Sequence, residues 1–262
     1  MLAAEHLVVG YGRTPVLRGL TARFETGRVT ALVGPNGCGK STLLKAVMGL
    51  VPTSGGDVRL EGRPIRQIGR RELARRIAYL PQECLCPDYM TLGELVELSG
   101  YARYSLFGGP SDRDRELFRR ALETVGLADR AGHQMNSLSG GQRQRAWIAM
   151  ILAQDTDIVL MDEPVNHLDM KYQYAVLALV RALSVKHGKT VVVVLHDLNL
   201  TTAFTDDVVI LGDGEVLAAG PVAKTITAET VAHAFGIATE VFVRDGRLVC
   251  LPRLTPGEPV SA

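Results

Sequence analysis

Three hydrophobic patterns succeed one another along the chain. In the opening third, apolar and polar residues alternate in "HLVVGYG", "VLRGLTARFE" and "DVRLEG", with Gly and Pro between them. A period of two predicts strands of a small antiparallel sheet. "RVTALVG", "DIVLMDE" and "TVVVVLHD" are instead continuous apolar runs ending in polar residues, the pattern of parallel strands buried on both faces. Helical patterns lie between them, so the core is expected to be α/β. From about Met90 to Gln154 the pattern is mostly helical, in "TLGELVELSGYARY", in "SDRDRELFRRALETVG" with Ser111 placed to cap its first amides, and in "GQRQRAWIAMILAQ". Further on, hairpins are predicted around Asp213-Gly214 and Asp245-Gly246, a helical "TAETVAHAFG" lies between them, and the proline-containing end is expected to fray.

Composition narrows this picture. A chain of 262 residues is long enough for one domain with a subdomain and short for two independent ones. The expected division is a main domain over 1–240, with a helical subdomain over about 86–155, then a hairpin and tail over 241–262. A net charge of +1 and a pI near 7.7 give no overall reason to expect nucleic acid as a partner. Mean hydropathy is +0.12, yet runs such as "TVVVVL" are far shorter than the ~20 residues that span a bilayer. The start "MLAAEHLVVGYG" has neither the basic residues nor the long apolar stretch of a secretory signal, so a cytosolic chain is expected. Cys38, Cys84, Cys86 and Cys250 contain no C-x-x-C pair and read as reduced thiols rather than a zinc site.

Against that background the polar punctuation carries the chemistry. "GPNGCGKS", Gly34 to Ser41, fits G-x-x-x-x-G-K-[ST] directly after a buried strand and before a helix. Glycines let backbone amides wrap phosphates, Lys40 neutralises their oxygens, and the Ser41 hydroxyl suits Mg²⁺. "IVLMDE" ends in Asp162-Glu163 at the C-terminal edge of a buried strand, where ligands of such sheets collect. Asp162 suits Mg²⁺ through water, and Glu163 suits polarising an attacking water. A carboxylate pair there also reads as a solvated helix start; the phosphate loop in the same chain favours the chemical reading. His196, at the end of "TVVVVLH", either contacts a γ-phosphate or is merely hydrogen-bonded. Tyr11 either stacks on a base or is a half-buried strand aromatic, and Gln82 is a side-chain amide following another strand. A second glycine-rich turn, in "NSLSGGQRQRAWI", opens a helix without a phosphate-loop lysine, which makes it half of an anion site.

In chain order, Tyr11, the phosphate loop with Thr42, the Gln82 loop, "LSGGQ" at Leu138 to Gln142, "IVLMDE", the "NHLD" loop ending in Asp169, and His196 resemble the motifs of an ATP-binding-cassette ATPase over nearly the whole chain. The resemblance implies the P-loop NTPase fold of that family: a mixed, largely parallel core sheet, an N-terminal antiparallel β subdomain and an inserted helical subdomain. It implies ATP and Mg²⁺. ATP would be held by Tyr11, Gly34, Pro35, Asn36, Gly37, Cys38, Gly39, Lys40, Ser41, Thr42 and Gln82, and Mg²⁺ by Ser41, Gln82 and Asp162, partly through water. Glu163 and His196 would be catalytic, and Asp169 would communicate between subunits. In this family two cassettes dimerise head to tail, so Ser139, Gly140, Gly141 and Gln142 would act on ATP held by the partner.

"LSGGQRQRAWIAMILAQDTDIVLMDEP", with Trp147 soon after the signature, "LHDLNL" and "GPVAKTITAETVAHAFGI" are similar to importer ATPases for ferric siderophores and, more loosely, for haem and cobalamin. The resemblance thus implies ATP hydrolysis that energises uptake of a ferric siderophore, with haem or cobalamin as the alternative cargo. The implied partners are a second, identical ATPase subunit, integral membrane permease subunits and, indirectly, a substrate-binding protein, with the chain peripheral at the cytoplasmic face. The helical insertion and the Gln82 loop are the expected docking surface. Soluble cassettes of DNA repair or the ribosome usually add coiled-coil arms or a second cassette, which this sequence lacks. Val165 departs from the Thr common in the family, placing a methyl where a hydroxyl would bond.

Overall fold

The computed structural model describes residues 1–253 except 13, 88, 106–107 and 167; the end expected to fray, 254–262, lies outside the described residues. The alternating segments form β1 (Leu2–Tyr11) and β2 (Thr14–Phe24), and the first continuous apolar run forms β3 (Val29–Val33). Then come α1 (Lys40–Val47), β4 (Gly55–Leu60), β5 (Arg63–Pro64), α2 (Arg70–Arg76) and β6 (Ile77–Leu80). The helical stretch contributes α3 (Leu92–Leu98), α4 (Asp112–Thr124) and α5 (Gly140–Ala153). The later runs are β7 (Ile158–Met161) and β8 (Thr190–Val194), separated by α6 (Met170–His187). The chain continues through α7 (Leu198–Phe204), the hairpin β9 (Asp207–Gly212) and β10 (Glu215–Pro221), α8 (Val222–Thr225), α9 (Ala228–Phe235), and the hairpin β11 (Thr239–Arg244) and β12 (Arg247–Pro252).

The described strands form a core sheet in the order β10-β9-β3-β8-β7-β6, an N-terminal sheet in the order β2-β1-β4-β5, and the β11-β12 ribbon. Pairing is parallel from β9 through β6, with β10 added antiparallel at one edge. The continuous apolar runs are explained by burial on two sides. Ile158 and Leu160 of β7 join one apolar cluster with Phe24, Leu43 and Leu44, whereas Val159 and Met161 join the other with Ile148, Val176 and Leu177. The antiparallel sheet and α1 thus cover one face, and α5 and α6 the other.

Ser111 caps α4 as the sequence suggests: its Oγ accepts from the Asp114 amide at 3.2 Å, and the Asp114 carboxylate accepts the Ser111 amide at 3.0 Å. "TLGELVELSGYARY" differs from its helical pattern, since α3 stops at Leu98 and turns follow. The Tyr104 hydroxyl donates to the Glu97 carbonyl at 2.6 Å, and its ring lies where a Cβ on Gly100 would be. Folding the ring back over the helix end satisfies a terminal carbonyl, so the last turns of apolar periodicity are spent on a loop.

What positions the site is the order β3-β8-β7-β6. Gly34, His196, Asp162 and Gln82 each follow the C-terminal end of one of these adjacent strands. Leu160 is fully buried in β7. Leu160→Ala should cost ~2–5 kcal/mol, read as a lower denaturant midpoint at unchanged slope.

Candidate nucleotide site

The loop between β3 and α1 is shaped by glycines. Gly34, Gly37 and Gly39 have φ of 150°, 80° and 107°, values an L side chain strongly disfavours. Space adds a second demand: a Cβ on Gly34 would collide with the Leu211 carbonyl, and one on Gly39 would lie 2.5 Å from Leu17 Cδ2. With Gly39 as the residue before α1 and no side chain bonded to its first amides among the described residues, those amides remain available to an anion. Lys40 is 5% exposed, and its Nζ donates to the carbonyls of Gly34 and Pro35, each at 2.8 Å. Burial raises the pKa of the Cys38 thiol, and the Lys40 charge opposes that shift.

A pocket of about 600 Å³ opens over this loop, lined by Val16, Asn36, Gly37, Gly39, Lys40, Ser41, Thr42, Gln82, Glu163, Asn166 and His196. Gln82 and His196 therefore meet the phosphate loop although they lie 42 and 156 residues beyond Lys40 in sequence. They meet through Glu163. His196 Nε2 lies 2.7 Å from Glu163 Oε1, Gln82 Nε2 donates to Oε2 at 2.7 Å, and Asn166 Nδ2 donates to the same Oε2. Hydrogen bonds from Gln82 and Asn166 thus fix one carboxylate oxygen, and the His196 imidazole, from a third loop, lies against the other. Glu163 itself has φ 53°, a left-handed conformation that costs a non-glycine residue about 1–2 kcal/mol.

Asp162, one residue earlier, is 1% exposed. Its Oδ1 accepts from Ser41 Oγ at 3.0 Å and its Oδ2 from the Tyr79 hydroxyl at 3.4 Å. Burial pushes its pKa above the usual carboxylate value; the Ser41 bond pulls it back and the neighbouring Glu163 charge pushes it up again. Tyr79 is raised for the same leading reason, burial, reinforced by Asp162. A buried carboxylate held by hydroxyl donors, with no cation in hydrogen-bond contact among the described residues, is a fit for a hard divalent ion.

Other sequence-predicted residues lie elsewhere. Tyr11 ends β1, is 52% exposed and pairs with Thr14, two residues before the pocket-lining Val16. Asp169 caps α6, accepting the Tyr172 amide at 3.1 Å. None of residues 138–142 is in the described pocket lining. Ser139 instead opens α5, its Oγ accepting the Gln142 amide at 3.4 Å while Gln142 Oε1 accepts the Ser139 amide at 2.9 Å. A Cβ on Gly140 would meet open space, whereas one on Gly141 would lie 3.2 Å from the Tyr172 ring.

Sequence reasoning missed Asn166 and Tyr79. Asn166 had a signal, standing in a polar turn three residues after Glu163. Tyr79 had none, because its reach to Asp162 depends on the β6–β7 register. Val165 is buried in the apolar core, so its methyl groups are packed where a hydroxyl would need a partner. The four cysteines are free.

Comparisons with known proteins agree on the kind of molecule. A family model described as ABC transporter matches residues 17–166, more than half of the chain. The chain is 37% identical to the "Iron(3+)-hydroxamate import ATP-binding protein FhuC" of Bacillus subtilis (strain 168), over 95% of this chain and 94% of the relative. It superposes with a TM-score of 0.83, at 25% identity and covering 97% of both chains, on the structure of an inward-facing metal-chelate type ABC transporter, itself described as putative. At 30% identity and a TM-score of 0.74, covering 85% of this chain and 99% of that one, it also resembles a dimeric ATP-binding cassette in a post-hydrolysis state bound to ADP and Pi.

The Asp162 shift gives a pH test. A folded pKa above the unfolded one means that the folded state binds more protons between the two, so this group's contribution to stability falls as pH rises from about 3.8, the ordinary value. Asp162→Asn keeps an acceptor for Ser41 and removes the buried charge. Its melting temperature should exceed that of the natural protein at pH 7, with the difference shrinking as pH falls towards the ordinary carboxylate range.

Proposed function

The chain belongs to the ABC transporter family as its ATP-hydrolysing cassette, and we propose that it powers import of a ferric siderophore from the cytoplasmic face of the membrane. The observation that carries the chemistry is the convergence of the phosphate loop, Gln82, Glu163 and His196 on one pocket, with the Ser139–Gln142 turn outside it. The likeness to a hydroxamate importer subunit supports the cargo. No described helix is long and apolar enough to cross a membrane, so the transport path is assigned to separate permease subunits, delivered their cargo by a binding protein. Exposed Leu85, Tyr89, Leu98 and Tyr101 on the Gln82 loop and around α3 supply apolar surface for that permease.

In this mechanism the α1 amides and Lys40 bind the ATP phosphates, with Tyr11 beside the base. Ser41 and Asp162 would hold Mg²⁺, with Gln82 contributing through water; the ion supplies charge neutralisation at the phosphate oxygens. Glu163 polarises the attacking water, oriented for it by Gln82, Asn166 and His196. Ser139, Gly140 and Gly141 present a hydroxyl and helix-start amides to ATP on the partner copy, and Asp169 lies at the contact between the two. ATP then bridges the subunits, and loss of its γ-phosphate releases one of them.

Glu163→Gln should retain ATP binding, lower turnover by about 10²–10³-fold and accumulate ATP-bound dimers on size exclusion; normal turnover would remove its assigned role. Lys40→Ala should weaken nucleotide binding directly. The transport reading is tested by mild-detergent pull-down of the tagged chain from its own cells. A co-purifying polytopic permease, with ATPase stimulated by an iron-loaded binding protein, is expected. Ribosomes or DNA-repair proteins without a membrane partner would overturn it.

A further inference from the structure

We propose that Asn199 is a positioning residue for His196, through which the C-terminal β11–β12 hairpin fixes the geometry at Glu163. The proposal rests on the roles given to Glu163 and His196 above.

β12 pairs with β11 along one edge, which leaves main-chain groups on its other edge in need of partners. At Cys250 both are met by a single side chain. The Cys250 amide donates to Asn199 Oδ1 at 2.8 Å, and Asn199 Nδ2 donates to the Cys250 carbonyl at 3.2 Å. The carboxamide takes the place of a neighbouring strand. Three residues along α7, Thr202 Oγ1 donates to the Leu248 carbonyl at 2.9 Å. Spacing of three on a helix and two on a strand puts both contacts on one seam. The hairpin side of that seam is anchored, since Cys250 is 5% exposed and Val241 and Leu248 pack against the main core.

The other side of the seam leads to His196. β8 ends at Val194 and α7 begins at Leu198, so His196 sits in a three-residue link. Its upstream end is fixed, because the Leu195 amide donates to the Leu32 carbonyl at 3.2 Å. Downstream, Asp197 caps α7 by accepting the amides of Asn199 at 2.6 Å and Leu200 at 3.1 Å. Where α7 lies therefore sets where the link runs. A seven-residue helix has little orientation of its own; burial of Leu200 and Thr201 seats α7 on the core, the Tyr174–Phe204 ring contact, 5.4 Å between centroids, holds its far end, and the Asn199 bonds fix its first turn against the hairpin. The His196–Glu163 contact of 2.7 Å leaves little slack, since a shift of about 1 Å at a reacting group can cost as much as 10²-fold in rate.

The test is a double-mutant cycle on the full chain, with ATPase followed by radiolabelled ATP so that residual turnover stays readable. Asn199→Ala should lower kcat by about tenfold, leave KM for ATP within about twofold, and lower the melting temperature. In a His196→Ala background the same change should lower the melting temperature equally but cost no further kcat, because its effect on rate passes through the imidazole. Natural kcat in Asn199→Ala, or losses that multiply in the double variant, would overturn the proposal. If His196→Ala alone turns over normally, the role given to His196 fails and the proposal falls with it, a result distinct from the first two. Should Asn199→Ala not fold, Thr202→Val, which removes the hydroxyl that reaches the Leu248 carbonyl and the Asn199 carbonyl of its own helix, must show the same dependence on His196 at smaller amplitude; a loss independent of His196 overturns the proposal equally.

Discussion

Parallel pairing sets Leu80 beside Met161 and Met161 beside Val193, and the Asp162 amide continues the ladder by donating to the Leu80 carbonyl at 2.8 Å. β6, β7 and β8 consequently stop at one level, and the residues that follow them share a rim. Just past the end of β7, the left-handed backbone at Glu163 then separates the two carboxylates. Asp162 turns inward to Ser41 and Tyr79, and Glu163 turns towards the pocket. A slip of one residue would carry every β7 side chain to the opposite face and move both carboxylates along the rim, away from Ser41 and the pocket. The register is secured by apolar burial of β7 and β8 on both sides, so the hydrophobic core is what aligns the charged groups.

That division sorts the electrostatics. Asp162 carries a burial penalty that two hydroxyl donors and the charge of Lys45 relieve only in part, and a buried carboxylate of this kind has most to gain from a divalent cation. Glu163 is a point of convergence, fixed by Gln82, Asn166 and His196. Each of these three side chains comes from a different loop, so movement in any one alters the surroundings of the same carboxylate. The left-handed backbone at Glu163 is offset by these bonds, since such a conformation persists only where the surroundings over-determine it.

The sequence was most legible where period and chemistry coincide. Continuous apolar runs gave the parallel strands, alternation gave the N-terminal sheet, and Ser111 gave the start of α4. The phosphate loop was legible because its glycines and Lys40 are neighbours in sequence. α3 ended earlier than its pattern because Tyr104 closes back on Glu97, a local contact that periodicity does not encode. Tyr79 was invisible for a deeper reason, since no spacing within its own strand reveals which residue the adjacent strand places opposite. Asn199 was likewise only part of "LHDLNL" until β12, some fifty residues later, supplied the amide and carbonyl that its side chain bonds.

The turn at Ser139 is bound physically to the loop that carries Glu163 in its own chain. Gln144, one turn into α5, donates through Nε2 to the Pro164 carbonyl at 2.7 Å, directly after Glu163. Gly141 leaves room for the Tyr172 ring, and the Tyr172 amide bonds Asp169 at the end of the same loop. The helix that the Ser139 turn opens is therefore bonded once to the loop carrying Glu163 and meets the first turn of α6 at Tyr172. A glycine at 141 suits this approach, since a Cβ there would lie 3.2 Å from the ring, which would have to give way by a few tenths of an ångström. The Gln144–Pro164 bond and the close approach of Gly141 to the Tyr172 ring thus tie the start of α5 to the segment between Glu163 and α6 within one chain.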